Sequence, residues 1–142
     1  MKKTAGLTQA DYRALALFRH MLRQFLAFSE TAAEAAGLTP VQHQALLAIK
    51  GMPGEGDAGE SDVSVGDLAA WLGIRHHSCV GLADRLVREG LVRRRRDPKD
   101  RRRMGLRLTA RAERKLAGLS ATHRDELRRL SGTLGPLLAA LH

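Results

Sequence analysis

Apolar positions at three- and four-residue intervals predict two helices in the first third of the chain. Five apolar side chains fall on one face of a long helix expected over residues 8–36, namely Leu15, Phe18, Leu22, Phe25 and Leu26. Thr39 as N-cap and Pro40 at the first helical position predict the start of a second helix, which ends near Gly51. Its expected inward residues are Val41, Ala45, Leu46 and Ile49.

The periodicity stops after the second helix. Residues 51–62 hold four Gly, one Pro and four acidic residues, which indicates a loop, interpreted as a tolerated insertion. The stretch Val63-Ser64-Val65 is compatible with a short strand, and Ser64 then caps a third helix that ends at Gly73. The inward positions of that helix are Val65, Leu68, Ala69 and Leu72.

A fourth helix and a hairpin follow almost at once. Residues 75–89 are predicted to be helical, with Gly90 as the stop and an inner side formed by Cys79, Leu82, Ala83, Leu86 and Val87. Two short helices joined at a Gly-containing turn are typical of a helix-turn-helix. Residues 91–96 and 104–108, separated by the turn at 97–100, predict a β-hairpin with a charged tip.

The last third of the chain is predicted to be helical, with Thr109 as the N-cap and an apolar seam along one side. Its apolar positions keep close to three-four spacing at residues 116, 119, 127, 130, 134, 137 and 141, and His123 fills the gap. Such a seam suits packing between subunits. Gly132, Gly135 and Pro136 predict a break and a short final helix.

Composition narrows the class of protein. With 142 residues, 44% of them hydrophobic but only 4% aromatic, the chain suits one aliphatic, mainly α domain. The single Cys79, the absence of a signal-peptide pattern and the lack of eighteen consecutive apolar residues favour a cytoplasmic protein with no membrane span. The sequence has no metal-ligand spacing, no nucleophile–base set and no phosphate-binding Gly loop. We therefore expect no bound metal, no cofactor and no enzymatic activity.

The charge of the chain points to a polyanionic partner. The formal net charge is +9, and residues 63–109 carry twelve Lys/Arg against five Asp/Glu. The run from Arg93 to Arg103 alone holds eight cations and two anions. A charge run is commonly a solvated surface, but a basic hairpin directly after a helix-turn-helix can reach a minor groove while the second helix occupies the major groove.

Donor side chains on the outer face of the fourth helix strengthen the prediction of a DNA partner. Arg suits guanine edges and phosphates, Ser and His are less selective donors, and Gly81 lets DNA approach the helix backbone. Ordinary surface histidines are the alternative for His76 and His77. The predicted DNA-binding residues are Arg75, His76, His77, Ser78, Gly81, Arg85, Arg94, Arg95, Arg96, Lys99, Arg101, Arg102 and Arg103.

Four motifs in order resemble the MarR family of bacterial transcriptional regulators, over residues 12–141. They are Leu38-Thr39-Pro40-x-Gln42, the segment Asp67 to Gly73, the stretch Leu82 to Arg93, and Asp97-Pro98-x-Asp100-Arg101-Arg102 followed by Leu108-Thr109. The resemblance implies a mainly α fold with a small β-hairpin wing, a winged helix-turn-helix lobe at residues 38–109, and a homodimer formed by the helices at 8–36 and 110–142. It makes Arg101 a DNA contact of the wing and Asp100 a brace for a neighbouring Arg.

Three positions depart from the family pattern. Ala112 stands where Gly is usual, the loop at 51–62 is longer and more acidic, and Gly81 replaces a polar or basic residue. The departures bear on the operator sequence rather than on the fold.

The resemblance also implies an effector, since members often bind small aromatic or phenolic anions that lower DNA affinity. Candidate ligand-binding residues are His20, Arg23, Phe25, His43 and Trp71, although amphipathic helices also carry such residues for packing or solubility. Some relatives sense oxidants through cysteine, but Cys79 lies on an inner helix face and is interpreted as structural.

The expected function is a sequence-specific regulator of transcription, a repressor in the commoner case, that binds a near-palindromic double-stranded DNA operator as a homodimer. The alternative is a non-specific architectural DNA- or RNA-binding protein that uses the basic hairpin for backbone contact alone. Both would lose affinity as salt rises, so sequence preference separates them.

Overall fold

The computed structural model describes residues 6–52, 62–98 and 100–141. The described segments contain five helices and three strands, in the order α1 (Gln9–Ala35), α2 (Pro40–Gly51), β1 (Val63–Ser64), α3 (Val65–Leu72), α4 (His76–Arg88), β2 (Val92–Arg96), β3 (Met104–Leu108) and α5 (Ala110–Ala139). The mainly α fold with a small β wing is confirmed. Residues 53–61, most of the predicted acidic loop, lie outside the described residues, as does Lys99.

Local signals place the helix ends where the sequence predicts them. Thr39 and Gln42 form a capping box at the start of α2, in which the backbone N–H of Gln42 donates to Thr39 Oγ1 at 3.2 Å. Ser64 and Asp67 form a second capping box at the start of α3, and Gly73 ends α3 in the left-handed conformation at φ 70°.

The three strands form an antiparallel sheet in the order β1-β3-β2. Val92 pairs with Leu108 and Arg96 with Met104, so β2 and β3 make the predicted hairpin. The short strand that the sequence allows at Val63-Ser64-Val65 is present as β1, in which Ser64 pairs with Gly105.

The chain divides into two compact units. One contains residues 1–32 with 120–142, and the other contains residues 33–119. The second unit holds the aliphatic core, whose largest fully buried side chains are Leu46, Leu68, Cys79, Leu86, Leu91, Val92 and Leu106. The description of residues 1–142 as a single domain stays a prediction.

The apolar face predicted for α1 is largely exposed within one chain. Leu15 is 54% exposed and Leu26 is 53% exposed, whereas Ala14 and Met21 are buried. On α2 the expected Ala45 and Leu46 are buried, but Val41 and Ile49 are only half-buried. Gln42 and His43 are buried instead, and Gln42 Nε2 donates to Glu89 Oε2 at 2.7 Å.

The predicted break in the last helix is wrong. α5 continues through Gly132, Gly135 and Pro136 to Ala139, and the Ala140 amide still bonds to the Pro136 carbonyl. Proline removes one donor, to the carbonyl four residues before it, but Gly135 directly before it has no Cβ to clash with the proline ring, which eases its place in the helix.

Candidate nucleic-acid interface

The helix-turn-helix consists of α3 and α4, which follow each other with a short turn. The left-handed Gly73 reverses the chain after α3, and α4 begins at His76 with Arg75 as its N-cap. Cys79, Leu82, Ala83 and Leu86 are buried and fix the inner side of α4 to the core. The opposite side of α4 is therefore held outward.

The outward side of α4 carries the donors predicted from sequence. Arg75, His76, His77, Ser78 and Arg85 are all exposed. Gly81 lies among them, half-buried, and a Cβ at this position would meet no atom within 4 Å. The surface of α4 is thus open at Gly81 and lined by hydrogen-bond donors on both sides.

The tip of the wing is closed by backbone hydrogen bonds. The Asp97 amide donates to the Arg103 carbonyl at 2.8 Å, and the Arg103 amide donates to the Asp100 carbonyl at 3.0 Å. Asp100 Oδ1 accepts from the backbone amide of Arg102 at 3.1 Å and from its guanidinium Nε at 3.3 Å. Asp100 therefore braces a neighbouring Arg, as the family resemblance implies.

Several wing arginines bind groups of the protein itself. The Arg94 guanidinium pairs with Asp84 on α4, and the Arg96 guanidinium donates to the Arg101 carbonyl. The Arg94–Asp84 pair links the wing directly to the helix predicted to read DNA. Among the described residues the side chains of Arg93 and Arg101 have no ion-pair partner, and both are exposed.

A carboxylate that the sequence analysis missed joins the two strands of the wing. The Asp62 side chain is 2% exposed and accepts from Arg95 Nε at 2.7 Å and from Arg107 Nε at 2.8 Å. Arg103 pairs with Asp67 and donates to the Asp62 backbone carbonyl at 3.4 Å. Arg95 and Arg103, both predicted DNA contacts, thus face carboxylates of the lobe.

Gly105 explains how Asp62 reaches this position. A Cβ on Gly105 would lie 2.1 Å from the Asp62 Cβ, so only glycine permits this approach to β3. A glycine inside a predicted strand is the sequence signal that could have indicated such an approach, although it does not name the approaching residue.

The candidate ligand residues lie in both units. His20 and Arg23 are exposed and Phe25 is half-buried on α1, in the unit of residues 1–32 with 120–142. Phe25 makes an edge-on ring contact with His123 at a centroid distance of 5.8 Å. In the unit of residues 33–119, His43 is buried and Trp71 is 56% exposed. Their role in ligand binding stays a prediction.

Cys79 is fully buried on the inner side of α4, as the sequence predicts. Burial raises the pKa of its thiol above the ordinary value, because a desolvated thiolate is disfavoured. Less of the thiol is therefore in the reactive thiolate form near neutral pH.

Metal-ligand clusters and membrane-spanning helices are features of other classes of protein. No group of three His, Cys, Asp or Glu side chains that could hold a metal ion occurs in residues 6–52, 62–98 and 100–141. In the same part of the chain, every helix is too short or too polar to cross a membrane.

A capped α3, a donor-bearing α4 and a basic three-stranded wing define a winged helix-turn-helix protein. The model of the MarR family matches residues 36–103, and the chain belongs to this family. The matched segment covers α2 through the tip of the wing.

Known proteins agree with this assignment. The chain is 32% identical over 97 residues to the uncharacterized HTH-type transcriptional regulator YcgE of Bacillus subtilis strain 168, a match that covers 68% of this chain and 58% of the relative. The chain therefore aligns with less than two thirds of that relative's length. A crystal structure of a MarR family transcription regulator superposes with a TM-score of 0.66 at 24% identity, covering 86% of this chain and 76% of that one. CouR from Rhodococcus jostii RHA1, bound to p-coumaroyl-CoA, gives a TM-score of 0.64 at 25% identity, covering 86% and 81%.

Proposed function

We propose that this protein is a sequence-specific, double-stranded DNA-binding regulator of transcription. The observation that carries the proposal is the outward side of α4, where exposed donors surround the open surface at Gly81. A major groove admits one helix, and Arg, His and Ser supply donors for base edges and phosphates. The Arg94–Asp84 pair keeps the basic wing beside this helix, where Arg101 and Arg102 meet the adjacent backbone or minor groove.

The start of α4 also favours DNA binding. The side chain of the N-cap residue Arg75 makes no capping hydrogen bond, so the first amides of α4 retain donors for a phosphate. Asp84 is an exposed acidic side chain on this helix, and its pairing with Arg94 offsets its charge. The electrostatics of α4 therefore suit a polyanion.

We propose that the protein acts as a homodimer. Leu15, Phe18 and Leu22 on α1 and Leu127 on α5 are each at least 41% exposed in one chain, which is costly for side chains of this size in water. Packing against a second copy would bury them. Two-fold symmetry then requires a near-palindromic operator, with half-sites about 34–36 Å apart.

Selection of tight-binding duplexes from a random pool tests the proposal. We expect the purified protein to enrich an inverted repeat with half-site centres about 10 base pairs apart. In the selected duplex, changes at His77 or Ser78 alter sequence preference, whereas Arg101→Ala weakens binding to all sequences. Tight, salt-sensitive binding with no enriched sequence would instead support the non-specific architectural or RNA-binding alternative.

We propose further that a small aromatic or phenolic anion lowers operator affinity. Support comes from the family and from CouR, the similar structure bound to p-coumaroyl-CoA. Titration of salicylate-like compounds into the protein–operator complex is the test, with Arg23→Gln and Trp71→Phe as variants of two candidate residues. Operator affinity that stays constant up to millimolar compound would contradict this part of the proposal.

A reporter gene fused to the selected operator tests whether the protein represses or activates transcription. Repression, the commoner outcome in the family, predicts higher reporter output when the protein is absent. Lower output in its absence would indicate activation.

A further inference from the structure

We infer that Asp62 is a positioning residue for DNA binding, whose carboxylate holds both wing strands in the orientation from which Arg101 meets DNA. The inference rests on the proposed DNA-binding function. It assigns Arg95 and Arg103, two predicted DNA contacts, to interactions inside the lobe.

One buried carboxylate joins the two strands of the wing. Arg95 belongs to β2 and Arg107 to β3, and each donates its Nε to a different oxygen of Asp62, at 2.7 and 2.8 Å. Asp62 itself precedes β1, the strand that leads into α3. The carboxylate therefore connects the wing to the helix-turn-helix.

Arg103 adds a second connection at the far end of the hairpin. It pairs with Asp67, the capping-box residue of α3, and its Nη2 lies 3.4 Å from the Asp62 carbonyl oxygen. Its Nε also lies 3.8 Å from the buried Asp97. The wing is thus held at three arginines by carboxylates of the lobe and of the turn.

Electrostatics indicate what happens when Asp62 loses its charge. Arg95, Arg103 and Arg107 would remain close together without the carboxylate that two of them share, and like charges at short range repel. Only the Asp62 carboxylate is buried, and the Arg95 and Arg107 side chains are 41% and 46% exposed, so the main loss is that of the two charge-assisted hydrogen bonds that join the strands. The wing would then leave its position over the lobe.

The sign of the effect on DNA binding makes the inference testable. Asp62→Asn makes the net charge more positive by one, and general attraction to phosphate predicts tighter binding. We expect the opposite, a loss of at least about tenfold in operator affinity, comparable to one charge-assisted hydrogen bond. Asp57→Asn is the matched control, since it changes the charge equally in the same acidic segment and should leave affinity equal or slightly higher.

A double-mutant cycle separates positioning from loss of stability. If Asp62 orients the wing, Arg101→Ala should weaken binding less in the Asp62→Asn background than in the parent protein. A variant that is merely unfolded in part would reduce active protein equally in both backgrounds, so the two effects would add. Additive effects, or unchanged affinity for Asp62→Asn, would overturn the inference.

A milder pair of variants covers the case in which Asp62→Asn does not fold. Arg107→Gln removes one of the two arginines on Asp62, and Arg93→Gln makes the same charge change at the exposed position paired with Arg107. We expect Arg101→Ala to weaken binding less in the Arg107→Gln background than in the parent protein. In the Arg93→Gln background, its effect on affinity should be the same as in the parent protein. Coupling in neither variant would overturn the inference, whereas a parent protein that binds no DNA would overturn the proposed function itself.

Discussion

Single residues on α4 have separable roles in stability and in the proposed DNA contact. Its buried residues attach the helix to the core, while Gly81 contributes no side chain to packing. A glycine inside an exposed helical surface lowers helix stability, so its presence needs another reason. Close approach of DNA to the α4 backbone is such a reason.

Gly81→Ala should raise stability and lower operator affinity. The new methyl group meets no protein atom within 4 Å, and alanine favours a helix over glycine by about 1 kcal/mol. The same methyl group would occupy the surface that we propose DNA approaches. Thermal unfolding and titration with the selected duplex measure the two effects. Gly118→Ala on α5, also with open space around it, should gain stability without losing affinity. Unchanged binding for Gly81→Ala would refute the close approach.

Cys79 should not act as an oxidant sensor. Because burial raises its thiol pKa, the thiolate forms only as pH rises above the ordinary range, and reaction with peroxide near neutral pH should be slow. Operator binding measured before and after peroxide treatment should therefore agree. A loss of operator binding after peroxide treatment that does not occur in the Cys79→Ser variant would contradict this view.

At the scale of elements, local capping decides where α3 begins and so how α4 is placed. Ser64 is both the partner of Gly105 in the sheet and the N-cap of α3, with its Oγ 3.0 Å from the Asp67 amide. Asp67 in turn pairs with Arg103 of the wing. One short segment thus links sheet, helix-turn-helix and wing.

Ser64→Ala should lower the free energy of unfolding by about 1 kcal/mol, since the first turn of α3 loses its side-chain acceptor. Chemical denaturation monitored by circular dichroism measures the change. Ser131→Ala is the matched control, because the exposed Ser131 hydroxyl only donates to a carbonyl one turn back in α5. Equal unfolding free energies for the two variants would argue against the cap as a source of stability.

At the scale of the whole molecule, the exposed apolar residues of α1 and α5 bear on assembly. Leu22 is 41% exposed on the α1 face that the sequence predicts to be apolar. The exposed part of the Leu22 side chain contributes no burial in a single chain, whereas a dimer would bury it.

Leu22→Glu should therefore shift the protein from dimer to monomer, because a buried carboxylate without a partner is strongly disfavoured. Light scattering after size-exclusion chromatography measures the mass, and loss of tight operator binding should accompany the shift. Gln24→Glu adds the same charge at an exposed polar position of α1 and should leave the dimer intact. A parent protein that is already monomeric would contradict the homodimer.

The sequence by itself determined the elements of this protein. Helix periodicity, the two capping boxes and the stop at Gly73 depend on residues within a few positions of each other, so α2, α3, α4 and the hairpin lie where the pattern predicts them. The same local reasoning placed a break at Pro136 that the helix does not make, since Gly135 before the proline has no Cβ to clash with the proline ring.

Only the tertiary structure decided which charges of the wing face outward. Asp62 lies 33 residues from Arg95 and 45 from Arg107, and these pairs depend on strand register and on the space left by Gly105. A charge count treats all nine cations from Arg93 to Arg107 alike. The fold distinguishes them, because an ion pair needs partners within a few ångströms, and that proximity is set by packing between elements rather than by position along the chain.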